Sequence, residues 1–472
     1  MHGPGAPRVV ALAIDSRRVE PGSLFVALRG TRVDGHDFLE AALAAGAAAI
    51  VVDAAYAATA TLPAGATVVV VPDTRRALSS LASAFHGEPT HALRVTGVTG
   101  TNGKTTTTHT IAALLEAGGF ATGSIGTLGA RFRERTWSLA NTTPLAPELQ
   151  ALFAAMRDDG ARAVALEVSS HALALERVAD VRFEVAVLTN VTRDHLDFHG
   201  SFEAYAATKR TLFERAPRTI FNIDDPHGAL WAQECAALGR APVTYGFGEA
   251  MLRPRDLDAR PGGSTFSLGG QRFMTNLPGR FNVSNALAAI AVAREYGVSD
   301  ATSARALAEV AAVPGRMERF SGAGIDVLVD YAHTPDALDT ILRAAREGAA
   351  GVLTVIIGCG GDRDRGKRPQ MGRIASVRAD RVVVTSDNPR GEEPQAIVDD
   401  ILAGTDGARN VVAILDRRSA ISHAIASAAP GDVVVVAGKG HETYQIVGTV
   451  VNYFDDRAEV RDALAARASL VS

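Results

Sequence analysis

Short apolar runs alternate with stretches of helical spacing along the chain, and these two periodicities distinguish strands from helices. In the first part of the chain, strands are predicted at Val9–Ile14, Leu24–Leu28, Ala48–Val52 and Val68–Val71. Helical spacing is found at Phe38–Ala45 and at Thr74–Phe85. Strands that alternate with helices predict an α/β fold.

The alternation continues beyond Gly87-Glu88-Pro89, a candidate linker. Further strands are predicted at Leu93–Val98, Ala163–Val168, Val185–Thr189 and Arg218–Asn222, with a weaker β-rich patch near Val243–Phe247 and Ser264–Phe273. Helices are predicted at Phe202–Phe213 and from Val283 to about Tyr296. Several strands end in polar residues, as parallel strands do where active-site loops begin.

A second candidate linker, Val313-Pro314-Gly315-Arg316, precedes another run of alternating elements. Its strands are predicted at Val327–Asp330, Leu353–Ile357, Arg381–Thr385, Val411–Leu415 and Val433–Ala437. This pattern is typical of a second doubly wound, Rossmann-like sheet. We therefore expect three domains, at residues 1–90, 91–313 and 314–472.

Composition narrows the class of protein. A chain of 472 residues is too long for one core, and 47% hydrophobic residues leave ample material for several. The net charge of −4 gives no reason to expect nucleic acid or an anionic membrane as a partner. The two cysteines have no metal or redox spacing, and neither a signal peptide nor a membrane span is apparent. We expect a cytoplasmic monomer.

The most informative segment follows the strand Leu93–Val98 and opens a helical pattern. It consists of Gly100, Thr101, Asn102, Gly103, Lys104, Thr105 and Thr106. A strand, a glycine loop, Lys-Thr and a helix form the layout of a nucleoside-triphosphate site, with the lysine on the terminal phosphates and the threonine hydroxyl on Mg²⁺. The strict motif G-x-x-x-x-G-K-[ST] would need glycine where Val98 stands. That departure favours P-loop enzymes that carry G-T-N-G-K-T over GTPases.

Two other strand ends carry candidate chemistry. Glu167 ends a predicted buried strand, where a carboxylate needs a cation such as Mg²⁺; the alternative is a helix N-cap cluster in which Ser169 or Ser170 caps. The segment from Thr189 to Asp197 fits a metal site about as well as a charged surface loop. Lys209, judged by its helix alone, is a solvated lysine.

Three charged loops follow strands of the C-terminal sheet, so they should converge on one edge. They are Gly358–Arg365, Ser386–Arg390 and Gly438–Glu442. A dinucleotide loop is excluded at Gly358-Cys359-Gly360-Gly361, because charged residues rather than a helix follow it. Arginine and aspartate together suit a small substrate that carries both carboxylate and ammonium groups.

The whole set of motifs resembles the ATP-dependent Mur ligases, which are related to folylpolyglutamate synthetases. Besides the P-loop, the resemblance rests on motifs that occur in order: Asp15-Ser16-Arg17, Pro21-Gly22, Leu24-Phe25-Val26-Ala27, Asp34-Gly35-His36, Asn141-Thr142-Thr143-Pro144, Ser169-Ser170-His171, Arg193-Asp194-His195-Leu196-Asp197, Gly279-Arg280-Phe281-Asn282, Gly315-Arg316-Met317-Glu318 and Asp330-Tyr331-Ala332-His333-Thr334-Pro335. It covers essentially the full length.

The resemblance implies an ADP-forming amide ligase of peptidoglycan precursor synthesis that uses ATP and Mg²⁺. The first domain would bind UDP-MurNAc, the central one ATP and the last one an amino acid. Lys104 and Thr105 would hold phosphates and Mg²⁺, Glu167 and His195 would ligate a second Mg²⁺, and Lys209 matches a carbamylated lysine of the family. The adenosine side would be Asn282, Arg316, Asp330 and His333. Uridine contacts match Ser16 and Thr31, and muramoyl-dipeptide contacts match Thr142, Thr143, Ser169 and Arg177.

The amino-acid pocket implied by the resemblance contains Arg363, Asp387, Asn388, Arg390, Gly438 and Glu442. The loop sequence Asp387-Asn388-Pro389-Arg390 is similar to that of one group of Mur ligases. These ligases add meso-diaminopimelate to the γ-carboxylate of D-glutamate in UDP-MurNAc-L-Ala-D-Glu. Arg390 can hold the distal carboxylate of diaminopimelate, which lysine lacks. The alternatives are a lysine-adding ligase, a folylpolyglutamate synthetase and, from another class, a nucleotide-binding switch.

Overall fold

The computed structural model describes residues 7–30, 33–260 and 262–471. Its N-terminal elements are β1 (Ala11–Ala13), β2 (Ser23–Val26), α1 (Leu39–Ala44), β3 (Ala49–Asp53), α2 (Ala54–Ala57), β4 (Val68–Val71) and α3 (Thr74–Phe85). The four strands form a parallel sheet in sequence order. The predicted strand Val9–Ile14 is too long, because only Ala11–Ala13 pairs with β2. The bounds of α3 agree with the prediction, and the Asp73 carboxylate accepts hydrogen bonds from the first-turn N–H groups.

The largest sheet contains eight strands in the order β12-β11-β10-β5-β9-β6-β7-β8. The elements of this central part are β5 (Arg94–Thr99), α4 (Lys104–Ala117), β6 (Thr122–Gly126), β7 (Gly129–Phe132), β8 (Arg135–Trp137), α5 (Ala146–Asp158), β9 (Ala163–Glu167), α6 (Ser170–Ala174), β10 (Phe183–Leu188), α7 (Leu196–His199), α8 (Phe202–Glu214), β11 (Arg218–Asn222), α9 (Pro226–Ala237) and β12 (Val243–Tyr245). The strands from β12 to β6 are parallel, whereas β7 and β8 extend the sheet antiparallel. The sheet therefore places the loop after β5 near its middle.

A small antiparallel sheet and two helices complete the central part: β13 (Arg255–Arg260), β14 (Gly263–Leu268), β15 (Gln271–Thr275), α10 (Arg280–Glu295) and α11 (Asp300–Glu309). Helix α10 is almost entirely apolar between Val283 and Ala293 and is buried there. It packs together with Ile111, Leu114 and Leu115 of α4 in one hydrophobic core. This packing fixes the helix that follows the P-loop.

The C-terminal sheet has the order β16-β17-β21-β18-β19-β20 and is parallel except for β16. Its elements are β16 (Glu318–Gly322), β17 (Ile325–Asp330), α12 (Pro335–Gly348), β18 (Leu353–Ile357), α13 (Lys367–Arg378), β19 (Arg381–Val384), α14 (Pro394–Leu402), β20 (Val411–Ala413), α15 (Arg417–Ser427), β21 (Val433–Ala437), the hairpin β22 (Tyr444–Val447) and β23 (Val450–Tyr453), and α16 (Asp456–Val471). Strand β21, although last in sequence among the parallel strands, lies between β17 and β18 because its valines are buried on both faces.

The predicted α/β class, with a doubly wound P-loop sheet and a Rossmann-like sheet, is confirmed. The domain boundaries near residues 90 and 313 stay a prediction. Among the described residues, none of the helices combines the length and apolar character that a membrane span requires.

Candidate active site

The loop Gly100–Gly103 joins β5 to α4 in a conformation that only glycine accommodates at both ends. Gly100 has φ +155°, and a Cβ there would overlap Thr189 Oγ1. Gly103 has φ +84°, and a Cβ there would lie 2.6 Å from Asn285 Oδ1. The loop leads directly into the N-terminus of α4, whose first N–H groups and helix dipole favour phosphate. The geometry is that of a phosphate-binding loop.

Lys104 begins α4 and turns its side chain over this loop. Its Nζ donates to the carbonyl oxygens of Gly100 at 2.7 Å and Thr101 at 2.8 Å. Desolvation lowers the pKa of Lys104, and the charges of Glu167 and Asp194 oppose that shift. The ammonium therefore lies against the loop, and its contact with phosphate stays a prediction.

Glu167 ends β9 and is only 2% exposed. Its carboxylate accepts hydrogen bonds from Thr105 Oγ1 at 3.0 Å, from Thr127 N at 2.9 Å and from Thr127 Oγ1 at 3.0 Å. A carboxylate beside the P-loop threonine suits Mg²⁺, which takes one or two carboxylates together with substrate phosphates. The capping alternative also holds for the next residues, because Ser169 Oγ accepts the N–H of Ala172 and caps α6.

Lys209 of α8 is buried, with 1% of its surface exposed, so the expectation of a solvated lysine from its helix alone is wrong. Its Nζ donates to Gly100 O at 2.9 Å and lies 4.6 Å from the centre of the Tyr205 ring. Burial and the nearby ammonium of Lys104 hold the pKa of Lys209 well below its ordinary value. A neutral amine next to the P-loop is the reactive form of lysine.

His195 has a left-handed backbone, with φ 52°, and its Nε2 lies 3.3 Å from Asp194 Oδ2. Its ring is 4.7 Å from that of His171 in an edge-on arrangement. Burial lowers the pKa of His195 to about 3, so the imidazole is neutral and able to ligate a metal. Within the described ranges, no three His, Cys, Asp or Glu side chains are grouped to hold a metal ion, so its role as a ligand stays a prediction.

Residues of the second linker and of the chain that follows it reach the P-loop directly. Arg316 Nη2 donates to Thr105 Oγ1 at 3.1 Å, and its guanidinium carbon lies 4.5 Å from the centre of the Tyr331 ring. Asn102 Nδ2 donates to Asp336 Oδ2 at 2.9 Å. The C-terminal part is thus hydrogen-bonded to the phosphate-binding loop and to the first turn of α4.

Asp330 ends β17 and holds the turn that follows. Its carboxylate accepts from Met317 N and Ala332 N, both at 2.7 Å, although burial raises its pKa. His333 Nδ1 lies 2.8 Å from Tyr331 O. On the central side, Asn282 is tied into α10, with its Oδ1 accepting from Asn285 Nδ2 at 3.0 Å. These side chains surround the P-loop from the central and the C-terminal parts of the chain.

One cavity of about 510 Å³ unites most of the predicted nucleotide, metal and dipeptide residues. Those that line it are Thr101, Asn102, Gly103, Lys104, Thr105, Thr106, Thr142, Glu167, Ser169, His195, Lys209, Asn282, Arg316, Asp330 and His333. Sequence reasoning gave no role to several further lining residues, among them Thr127, Asn285 and Asp336. Nothing in the local sequence marks these residues, because each is brought to the site by a contact with a distant residue of the P-loop, of β9 or of α4.

The predicted contacts to the muramoyl nucleotide are more dispersed. Thr143 is buried and donates to Glu167 O at 2.7 Å, while Arg177 Nη1 donates to Thr143 O at 2.9 Å. Neither side chain lines the cavity; Thr143 supports the backbone of Glu167, which does, and Arg177 supports Thr143. Ser16 lies in a short 3₁₀ turn of the N-terminal part, outside the lining of this cavity. Thr31 lies outside the described residues.

The three charged C-terminal loops converge as predicted: Arg390 connects the second loop to Gly361 of the first, and the second and third meet at a lysine to which sequence reasoning gave no role. Lys439 has no exposed surface, and its Nζ lies 3.2 Å from Asp387 Oδ1, 3.0 Å from Asn388 Oδ1 and 3.4 Å from Glu442 Oε2. Burial alone would raise the pKa of Asp387, but the charges of Lys439 and Arg417 hold it below its ordinary value. Asn388 Nδ2 donates to Glu442 Oε2 at 2.9 Å.

Arg390 lies at the end of the same cluster. It has φ 52°, and its Nη1 donates to Gly361 O at 3.0 Å. Gly438 faces the cluster, since a Cβ there would lie 3.2 Å from Asp387 Oδ2, whereas Arg363 is exposed. Tyr331 links this pocket to the cavity: it lines the cavity and its hydroxyl donates to Glu442 Oε1 at 3.4 Å.

Sequence models of a known family match nearly the whole chain. The Mur ligase middle domain matches residues 98–293, the Mur ligase glutamate ligase domain residues 315–440, and the Mur ligase family catalytic domain residues 8–86. The chain belongs to the Mur ligase family. The ATP-dependent, amide-forming ligase class predicted from the motifs is thereby confirmed.

Individual Mur ligases are similar over the full length. The UDP-N-acetylmuramoyl-L-alanyl-D-glutamate–2,6-diaminopimelate ligase of Geobacillus thermodenitrificans is 47% identical over 483 residues, which cover 99% of this chain and 97% of the relative. The ligase of the same name from Gloeobacter violaceus is 47% identical over 472 residues, covering 98% and 95%.

Solved structures of Mur ligases have the same fold. A UDP-N-acetylmuramoyl-L-alanyl-D-glutamate–2,6-diaminopimelate ligase superposes with a TM-score of 0.68 at 36% identity and covers 97% of this chain and 95% of its own. The MurF ligase from Thermotoga maritima in complex with ADP gives 0.67 at 21% identity, with 98% of both chains covered, and supports the fold alone. The individual site residues stay predictions, judged on the geometry above.

Proposed function

We propose that this Mur ligase joins meso-diaminopimelate to the γ-carboxylate of D-glutamate in UDP-MurNAc-L-Ala-D-Glu, at the expense of ATP. The product would be the UDP-MurNAc-tripeptide of peptidoglycan precursor synthesis. The observation that carries the proposal is the link through Tyr331, which lines the cavity around the P-loop and donates to Glu442, a member of a cluster whose charged groups match a zwitterionic amino acid. Full-length relatives named for this reaction support it.

The nucleotide half of the site is suited to activate a carboxylate. A carboxylate is a poor electrophile, so ATP would transfer its γ-phosphoryl group to give an acyl phosphate and ADP. Lys104, the N-terminus of α4 and Arg316 bring positive charge to the place where phosphate oxygens would lie. Their work is positioning and charge neutralisation rather than covalent chemistry.

The amino-acid half carries the specificity. Glu442 and Asp387 can receive ammonium groups, while Arg390 offers a guanidinium to the distal carboxylate of diaminopimelate. Lysine has no group to pair with that guanidinium, so a pocket of this kind would reject it. Attack of the diaminopimelate amine on the acyl phosphate would form the amide and release phosphate.

Mg²⁺ fits the donor set of this site. Thr105 would hold one ion with the phosphates, and Glu167 and His195, together with a modified Lys209, would hold a second. The ions would neutralise the charge that develops on the transferred phosphoryl group. The depressed pKa of Lys209 supports the modification, because a neutral amine can add CO₂ and release a proton to give a carbamate anion.

Product analysis tests the proposal. The purified protein is incubated with ATP, Mg²⁺ and UDP-MurNAc-L-Ala-D-Glu, with meso-diaminopimelate or L-lysine supplied separately, and product mass is read together with phosphate release. A tripeptide formed with diaminopimelate and not with lysine is expected. A lysine product would retain the ligase and overturn the specificity. Phosphate release without any amide product would favour a nucleotide-hydrolysing switch, and glutamate addition to a folate would favour a folylpolyglutamate synthetase.

A further inference from the structure

The hairpin β22–β23 is hydrogen-bonded to three of the four residues of the loop Asp387–Arg390. Gln445 Nε2 donates to Asp387 O at 2.8 Å, and Ile446 N donates to Asn388 Oδ1 at 3.0 Å. Arg390 N donates to Ile446 O at 3.1 Å, and Gly448 N donates to Arg390 O at 2.7 Å. Arg390 is therefore held from both sides of its peptide unit, as if it were one residue of a third strand.

Apart from Tyr444, which lies near Lys439 and Glu442, the rest of the hairpin is poorly anchored. Tyr444, Val447, Val450, Val451 and Tyr453 are 37 to 76% exposed, and a two-stranded hairpin with such exposure has little stability of its own. The hydrogen bonds to the loop are thus a large part of what fixes the hairpin. In return, they fix Arg390 in its left-handed conformation of φ 52°, which an arginine adopts only when its surroundings enforce it.

We infer that the hairpin β22–β23 is a second determinant of amino-acid selectivity, with Gln445 and Gly448 as positioning residues for the loop that carries Arg390. Selectivity for a distal carboxylate requires the guanidinium to be held in one place before the substrate arrives. The clamp on the Arg390 peptide supplies that order. This inference rests on the proposed function, since it concerns the pocket that would receive diaminopimelate.

Gly448 offers a matched pair of variants. It has φ 60°, and an added Cβ would meet no heavy atom within 4 Å, so a side chain has room and only the backbone conformation is at stake. Valine strongly disfavours a left-handed backbone, whereas asparagine tolerates it. Gly448→Val should therefore release the Arg390 carbonyl, and Gly448→Asn should preserve the clamp.

The experiment measures steady-state constants for meso-diaminopimelate, L-lysine and ATP with the full-length protein. We expect Gly448→Val and Gln445→Leu to raise KM for diaminopimelate by about tenfold and to narrow the preference over lysine by a similar factor. KM for ATP should stay within about twofold of wild type, and Gly448→Asn should restore wild-type constants. Asn452→Leu, on the exposed cross-strand partner of Gln445, controls for general damage to the hairpin.

Two results would overturn the inference. One is wild-type selectivity in both Gly448→Val and Gln445→Leu. The other is an equal rise in KM for ATP and for diaminopimelate, or a rise that Gly448→Asn and Asn452→Leu show as well. Either would mean that the hairpin has a purely structural role. Failure of the proposed function is recognised separately, because the wild-type protein would then give no amide product with diaminopimelate.

Discussion

Arg316 and Thr105 are joined by a hydrogen bond of 3.1 Å that crosses from the C-terminal domain into the P-loop. The same Thr105 hydroxyl donates to Glu167 Oε2 at 3.0 Å. A guanidinium, a hydroxyl and a buried carboxylate thus form one chain beneath the place where phosphates would bind. Both domains must be in contact for this chain to be complete.

Loss of Arg316 should weaken ATP binding and slow phosphoryl transfer. Arg316→Ala removes a positive charge and the link to Thr105, so KM for ATP should rise and kcat should fall by about a hundredfold. Arg316→Lys keeps the charge without the planar guanidinium, so its KM and kcat should lie between those of the wild type and of Arg316→Ala. Steady-state kinetics with varied ATP measures both constants; wild-type values in Arg316→Ala would remove Arg316 from the nucleotide site.

Lys209 should be replaceable by a free anion. If a carbamate on Lys209 ligates Mg²⁺, Lys209→Ala should lose most of its turnover and regain part of it with added acetate or formate. Lys104→Ala is the matched control: it should be at least about a hundredfold slower and gain nothing from an anion, because its loss is that of a cation. No rescue of Lys209→Ala would leave the carbamate unsupported.

Arg390 should discriminate between the two amino-acid candidates. Arg390→Ala is expected to weaken the binding of diaminopimelate by about a hundredfold, because a bidentate charge-assisted contact is lost. KM for ATP should stay nearly unchanged. Its kcat/KM for lysine should be affected much less. Equal effects on ATP and diaminopimelate would refute the assignment of the pocket.

His441 should remain neutral well below the pH at which histidine ordinarily titrates. Burial, with a further contribution from Arg316, lowers the pKa of His441 from 6.5 to about 3. The unfolded chain would take up this proton near pH 6.5, so the group favours unfolding progressively as pH falls from 6.5 towards 3. NMR of histidine-labelled protein, with the signal assigned through His441→Asn, measures it. A midpoint near 6.5 would contradict the burial argument.

The local pattern was sufficient for most of the parallel strands and for the P-loop, because the periodicity of a strand and the spacing of a glycine loop depend on residues close in sequence. Helix α3 has the predicted bounds, and the glycine loop lies between a strand and a helix as predicted. Strands β6, β7, β8, β13, β16, β22 and β23 were not predicted. The first three are short, glycine-containing or only partly apolar, so the periodicity is weak there.

The remainder depends on distant residues. The burial of Lys209 is set by Gly100 and Tyr205, and the role of Lys439 by Asp387, which lies in another loop of the sheet. A lysine between two glycines gives no local sign that it will be enclosed. Resemblance to a family brought Lys209 into the site but left Lys439 unassigned.

The bond between Arg316 and Thr105, with that between Asn102 and Asp336, has a consequence for exchanging parts between relatives. A chimera that takes its C-terminal domain from a ligase for another amino acid would also import half of the nucleotide site. Such a transplant should succeed only where the donor carries an arginine and a carboxylate at these two places. In this architecture, exchanging the C-terminal part changes amino-acid specificity and ATP binding at the same time.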